Sequence, residues 1–153
     1  MRAKRHLGSS WRAIVALAFA SVVALSNTSV HASDFIFVRN AKNKAATVSK
    51  REIRQLFTGQ TKQWNGFVVQ AVIGEVDSPE FHYLAGIFGL DARELLLKIK
   101  QEVFRGEMRR PIVVKTASEC IQAVEKHEGG IGIVPVEATK TLPSDVERLP
   151  LSD

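Results

Sequence analysis

Short apolar runs alternate along this chain with segments that have a helical period, and this alternation limits the fold more than any other feature. Strands that are separated by helices need crossover connections, which are typical of parallel sheets. The pattern therefore predicts an α/β fold in three layers, with a mixed, mainly parallel sheet flanked by helices. The predicted strands are Phe35–Val38, Val68–Ile73, Ile112–Val114, Ile131–Val134 and, at one edge, Val146–Leu149.

Two of the four predicted helices begin with a capping box. Ser49 and Glu52 have the Ser-x-x-Glu spacing in which side chains and backbone cap each other, and Asp91 starts a second box with the same spacing. Each segment then places its apolar residues on one face and its charges on the other. Both helices are therefore expected to pack against the sheet.

The other two helices begin directly after a strand, which makes their starts candidates for a ligand site. Ser78 is followed by Pro79, a capping residue ahead of a proline at the first helical position. Either Thr116 or Ser118 caps the last helix. Ligands bind at the carboxyl edge of open α/β sheets, and helix starts favour anions. We expect Ser78, Thr116 and Ser118 to be the ligand-binding residues, with capping alone as the simpler interpretation of each.

The first 32 residues are predicted to be a cleaved signal peptide. They combine a basic start, an apolar run from Ile14 to Leu25, and the small residues Val30 and Ala32 at the two positions that signal peptidase reads. As a helix this run would span only ~18 Å of a ~30 Å hydrocarbon core, so a membrane anchor is the weaker interpretation. We expect cleavage before Ser33 and a soluble periplasmic protein of one domain, residues 33–153, with no membrane contact after cleavage.

The basic charge of the chain belongs to its first residues. The net charge is +5, but four bases and no acid lie in residues 1–32, which leaves 17 bases against 16 acids in residues 33–153. A nucleic-acid partner is therefore not expected, because such proteins carry a basic surface of their own.

The side chains needed for a metal site or for nucleophilic catalysis are scarce. Residues 33–153 contain His82, His127 and Cys120 as their only histidines and cysteine, at spacings that form no ligand set. Cys120 and His127 are seven residues apart on one predicted helix, about 10.5 Å along its axis, which is too far for a catalytic pair. We expect no metal, no cofactor and no catalytic residue, and we expect Cys120 to be a small packing residue that is buried or half-buried.

Several short motifs occur in an order that is more specific than any of them alone. They are Ser49-x-x-Glu52-Ile53-x-x-Leu56-Phe57-Thr58-Gly59, Trp64-Asn65-Gly66, Phe81 on the next helix, Phe104-Arg105-Gly106 with Pro111, and Gly129-Gly130-Ile131-Gly132-Ile133-Val134. In this order they resemble the phosphate-binding proteins of bacterial ABC transporters. The resemblance implies a type II periplasmic-binding-protein fold, export, and capture or sensing of a small solute.

The chain departs from this family in length and at the phosphate contact. Two lobes need about twice 121 residues, so the match is to a single lobe. Where the family has Arg-x-x-x-Ser-Gly-Thr, this chain has Gly74 at the arginine position, keeps Ser78, and has Pro79 and Glu80 in place of glycine and threonine. Asp77 and Glu80 flank this helix start, with Glu75 nearby. Each carboxylate at about 7 Å costs a bound anion about 2.4 kcal/mol, more than the ~0.3–1 kcal/mol that a helix dipole returns. High-affinity phosphate capture is therefore disfavoured.

Three functions remain open from the sequence. The first is a non-enzymatic, solute-binding-like protein that holds a small oxyanion weakly near Ser78, Thr116 and Ser118. The second is a protein-interaction module, in which the surface of the lone lobe docks onto another protein or onto a second copy. The third, an enzyme, would need acids that the fold gathers into a cleft, and we do not expect it.

Overall fold

The computed structural model describes residues 34–152, and the structural statements below concern that part of the chain. The predicted signal peptide, residues 1–32, lies outside the described residues, so its cleavage stays a prediction. The elements in chain order are β1 (Phe35–Asn40), β2 (Val48–Ser49), α1 (Lys50–Leu56), β3 (Gln63–Trp64), β4 (Phe67–Val68), β5 (Gln70–Gly74), α2 (Pro79–Phe88), α3 (Ala92–Phe104), β6 (Ile112–Val114), α4 (Ala117–Lys126), β7 (Gly130–Pro135), a 3-10 helix (Val136–Thr141), β8 (Val146–Leu149) and β9 (Leu151–Ser152).

Five strands form the central sheet, in the order β6-β5-β7-β1-β8. The strand β5 pairs parallel with β6 and with β7, whereas β1 pairs antiparallel with β7 and with β8. Four of these five strands therefore run in one direction and β1 runs against them. The predicted mixed, mainly parallel sheet is confirmed, and the predicted edge strand is β8.

Helices cover both faces of the sheet, which makes the three predicted layers. Alternation along the strands separates two cores: Phe37 and Ile133 face α1, α2 and α3, while Val38, Val72 and Val134 face α4. The larger core also contains Phe57 and the inward stripes of the three helices. Within residues 34–152, none of the helices combines the length and the apolar character that a membrane span requires.

The predicted strand Val68–Ile73 begins too early, because its first residue belongs to a separate hairpin. The strands β3 and β4 pair through Trp64 and Phe67 across a two-residue turn, in which Asn65 (φ 50°) and Gly66 (φ 87°) both take positive φ. An Asn-Gly pair suits such a turn, since both residues tolerate this conformation. Trp64 is buried and packs against the larger core.

A buried arginine ties the loop after β1 to the sheet. Arg39 is 6% exposed. Its Nε donates to the Ala45 carbonyl (2.6 Å), Nη1 donates to the Asn40 carbonyl (3.2 Å), and Nη2 pairs with the Glu147 carboxylate (2.7 Å). The sequence pattern does not single out Arg39, because a charged residue in a strand is ordinarily exposed.

Candidate ligand site at the carboxyl edge of the sheet

Two helix starts meet where the neighbouring parallel strands β5 and β6 end. The last residues of these strands, Gly74 and Val114, are register partners. Each strand is followed within a few residues by a helix, so the N-caps of α2 and α4, Ser78 and Thr116, lie at the same edge. Both line one small cavity of about 20 Å³. The structure thus brings together two of the three expected ligand-binding residues.

Both hydroxyl groups cap their own helices. The Oγ of Ser78 accepts from the Phe81 amide at 3.2 Å, and the Oγ1 of Thr116 accepts from the Glu119 amide at 3.1 Å. Each hydroxyl group can still donate its O–H in a hydrogen bond to a ligand oxygen. Capping is therefore present at both positions, and it does not use up the hydroxyl groups.

Ser118 lies apart from this pair. It is an exposed residue in the first turn of α4, and it does not line the cavity that Ser78 and Thr116 share. The sequence left the cap of α4 open between Thr116 and Ser118, and the structure assigns it to Thr116. Because the first N–H groups of a helix have no partner inside it, the Ser118 backbone amide is the part of this residue best suited to a ligand.

One acidic and one basic residue line the cavity. Glu80 is one of the three acids predicted at this rim, whereas Glu75 and Asp77 do not line the cavity, and the base is Lys115, which the sequence pattern did not indicate. The backbone amide of Lys115 donates to the carboxylate of Glu119 at 2.7 Å, so a further negative charge lies beside the start of α4. The position of Lys115, at a strand end just before a cap, is the signal that could have identified it.

Gly74 packs directly against the capping serine. A Cβ atom placed on Gly74 would lie 2.2 Å from the Ser78 Oγ, a separation that real Cβ atoms essentially never show. Any side chain at position 74 would therefore displace Ser78. The phosphate-binding proteins that this chain resembles have an arginine at this position. An arginine side chain at position 74 does not fit beside Ser78 while the Ser78 hydroxyl caps α2.

The single cysteine of the described chain forms part of the cavity wall. Cys120 is buried, its Sγ lies 3.6 Å from the Ile133 carbonyl, and burial raises the pKa of its thiol to about 12. The thiol is therefore protonated and a poor nucleophile at neutral pH, and the prediction that Cys120 is buried or half-buried is confirmed. His127 ends α4 and contacts the Ala123 carbonyl through Nδ1 at 2.9 Å. Across the described residues, no three His, Cys, Asp or Glu side chains come together to hold a metal ion.

Solved structures match this fold at low sequence identity, whereas no protein-family model and no curated protein matches the chain. An ABC-type phosphate transport receptor from Vibrio cholerae aligns at 13% identity with a TM-score of 0.58, over 77% of this chain and 46% of the receptor. PstS from Borrelia burgdorferi aligns at 18% identity with a TM-score of 0.57, over 78% of this chain and 47% of PstS. A protein from Planctomyces limnophilus, described as a possible phosphate binding protein, aligns at 13% identity with a TM-score of 0.57, over 78% of this chain and 42% of that protein.

These likenesses establish the fold. The periplasmic-binding-protein-like fold that the motif order implied is confirmed, since all three matched proteins have it over most of this chain. The chain spans less than half of the length of each. Identities of 13–18% do not transfer a binding site from one protein to another.

Proposed function

We propose that this protein is a non-enzymatic, solute-binding-like single lobe that holds a small oxyanion weakly at the cavity between Ser78 and Thr116. The supporting observation is that two capped helix starts converge where neighbouring parallel strands end. Open α/β sheets bind their ligands at this edge, and helix starts attract anions. The Ser118 amide and the Lys115 ammonium group would contribute from the α4 side.

The proposed binding is weak for two physical reasons. The cavity holds about 20 Å³, which is close to the space of one water molecule, so an oxyanion must sit at its mouth rather than inside it. The carboxylate of Glu80 lines the same cavity and repels an anion, and it offsets the attraction of Lys115. We therefore expect dissociation constants on the order of millimolar.

We propose that the protein acts in the periplasm after removal of residues 1–32. The apolar run and the small residues before Ser33 support export. The buried, protonated thiol of Cys120 supports a non-enzymatic role, because it removes the strongest nucleophile of residues 33–153. Neither proposal depends on an ABC permease partner.

Titration calorimetry with phosphate and with sulfate tests the oxyanion site. Glu80→Gln should bind either anion roughly fivefold more tightly than the wild type, because one repulsive charge is removed and water at the open mouth screens that charge to about 1 kcal/mol. Glu125→Gln is the matched control, since Glu125 is an exposed acid near the other end of α4 and should leave the affinity unchanged. The absence of heat with both anions at millimolar concentration, in the wild type and in Glu80→Gln, would exclude the site.

Two exposed apolar side chains on α3, which we call the apolar stripe, support a second candidate function, self-association. Phe104 is 94% exposed and Leu97 is 60% exposed, and the two lie seven residues apart on the same face of the helix. Large apolar side chains that share an exposed face are typical of interaction surfaces. If a second copy covers this stripe, sedimentation velocity should show a concentration-dependent dimer that Phe104→Ser abolishes. A wild-type monomer at all concentrations would contradict this candidate.

A further inference from the structure

A groove with a basic rim runs between α1, α2 and α3, on the face of the sheet opposite α4. It consists of two cavities of about 500 and 620 Å³ that adjoin at Arg54 and Phe88, which line both. We call it the basic groove. Its floor is apolar and includes Ile87, Phe88 and Leu90, and its cations are Lys50, Arg51, Arg54 and Lys98.

The cations of the basic groove have no acidic partners. Among residues 34–152, no carboxylate lines either cavity. Among the ion pairs of residues 34–152, none involves Lys50, Arg51, Arg54 or Lys98. Arg54 is exposed, and the one hydrogen bond found for its guanidinium within residues 34–152 runs from Nε to the Lys50 carbonyl at 3.2 Å. Other bases of the surface do pair, for example Lys62 with Glu107 at 2.8 Å.

Helix stability does not account for this cluster of charges. Lys50 and Arg51 are the first two residues of α1, where the positive end of the helix dipole disfavours cations. Lys50 and Arg54 are four residues apart, so their charges also repel each other on one helix face. Neutral residues at positions 50 and 51 would make the start of α1 more stable, whereas Arg54 lies in the last turn, where the dipole favours a cation. An anionic ligand in the groove would remove both penalties.

We propose that the basic groove docks an acidic segment of another protein, with apolar side chains on the floor and carboxylates against the cations. Charge complementarity favours an acidic partner, because the part of the groove formed by residues 34–152 presents four cations outside any ion pair and no acid. The lining combines apolar side chains with cations, which suits a peptide that alternates apolar and acidic residues. The site shares no lining residue with the cavity of Ser78 and Thr116, so this proposal stands independently of the proposed oxyanion binding.

Fluorescence anisotropy with a labelled synthetic peptide tests the docking. The probe alternates glutamate with leucine and phenylalanine, and its control has glutamine in place of every glutamate. The acidic peptide should bind, should weaken as the salt concentration rises, and should bind Arg54→Gln roughly fivefold less tightly. Lys44→Gln, which removes an exposed charge from the loop between β1 and β2, should bind like the wild type.

The stability of the variants separates a docking role from a structural one. Lys50→Gln removes a cation from the start of α1, so it should unfold at a urea concentration no lower than the wild type while it binds the peptide less tightly. Equal peptide binding by Arg54→Gln and Lys44→Gln would overturn the proposal. Binding to phosphatidylglycerol vesicles without binding to the peptide would overturn it in favour of a membrane, and dimerisation that depends on Arg54 would overturn it in favour of a second copy.

Discussion

Replacing Gly74 with alanine tests the contact that defines the rim of the candidate site. The added Cβ would lie 2.2 Å from the Ser78 Oγ and 3.1 Å from the Ser78 Cβ. Ser78 must then turn away, which breaks the bond that the Phe81 amide donates to its Oγ at 3.2 Å. Loss of a serine N-cap costs about 0.5–2 kcal/mol of stability, so Gly74→Ala should destabilise the protein by about that amount.

Gly74→Ala should have a different effect on the unfolding free energy in a protein that lacks the Ser78 side chain. In the Ser78→Gly background the added Cβ meets the Glu80 Cβ at an ordinary 3.8 Å, and the glycine itself caps a helix only a few tenths of a kcal/mol less well. Gly74 has no positive φ, so alanine there also restricts the unfolded chain and can return about 0.4–1 kcal/mol. We therefore expect Gly74→Ala to be neutral or stabilising in this background.

Urea unfolding followed by far-ultraviolet circular dichroism gives the free energies of the four proteins. The coupling between positions 74 and 78 should be about 1–2 kcal/mol, well above the ~0.5 kcal/mol found for independent sites. If Gly74→Ala lowers the unfolding free energy equally in the wild type and in Ser78→Gly, the reasoning is refuted, because a clash with the Ser78 side chain would then not cause the loss of stability. A confirmed coupling would explain why this rim does not accommodate both an arginine at position 74 and a capping serine.

The remaining predictions concern buried groups and one turn. Arg39→Ala should cost about 2–3 kcal/mol in urea unfolding through lost hydrogen bonds and packing, whereas Glu147→Gln should cost under about 1 kcal/mol because Glu147 is half exposed. Burial raises the pKa of Cys120 from 9.0 to about 12, so the stability that this thiol adds is complete below pH 9 and lost between about pH 9 and 12. Cys120→Ala should remove this slope of up to about 1.4 kcal/mol per pH unit from unfolding curves measured across that range. Gly66→Ala should lower the unfolding free energy by about 1 kcal/mol, since Gly66 has a φ of 87°.

The helix starts were predictable because their signals are local. The capping boxes at Ser49 and Asp91 and the cap at Ser78 depend on residues three positions apart, and the structure confirms all three. The strands were predictable for a similar reason, since short β-branched runs identify them without knowledge of their partners. The motif order then indicated which known fold these elements build, and the structural matches confirm it.

The tertiary structure alone decided which residues meet. The sequence does not show that β1 lies antiparallel between β7 and β8, because strand pairing depends on contacts about a hundred residues apart. Nor does it show that Arg39 is buried beside Glu147, that Lys115 shares a cavity with Glu80, or that Gly74 contacts Ser78. The sequence does not show the basic groove either, since residues from three helices must come together to form it. Hydrogen bonds within a turn fix local elements, whereas a site requires the long-range packing that places those elements side by side.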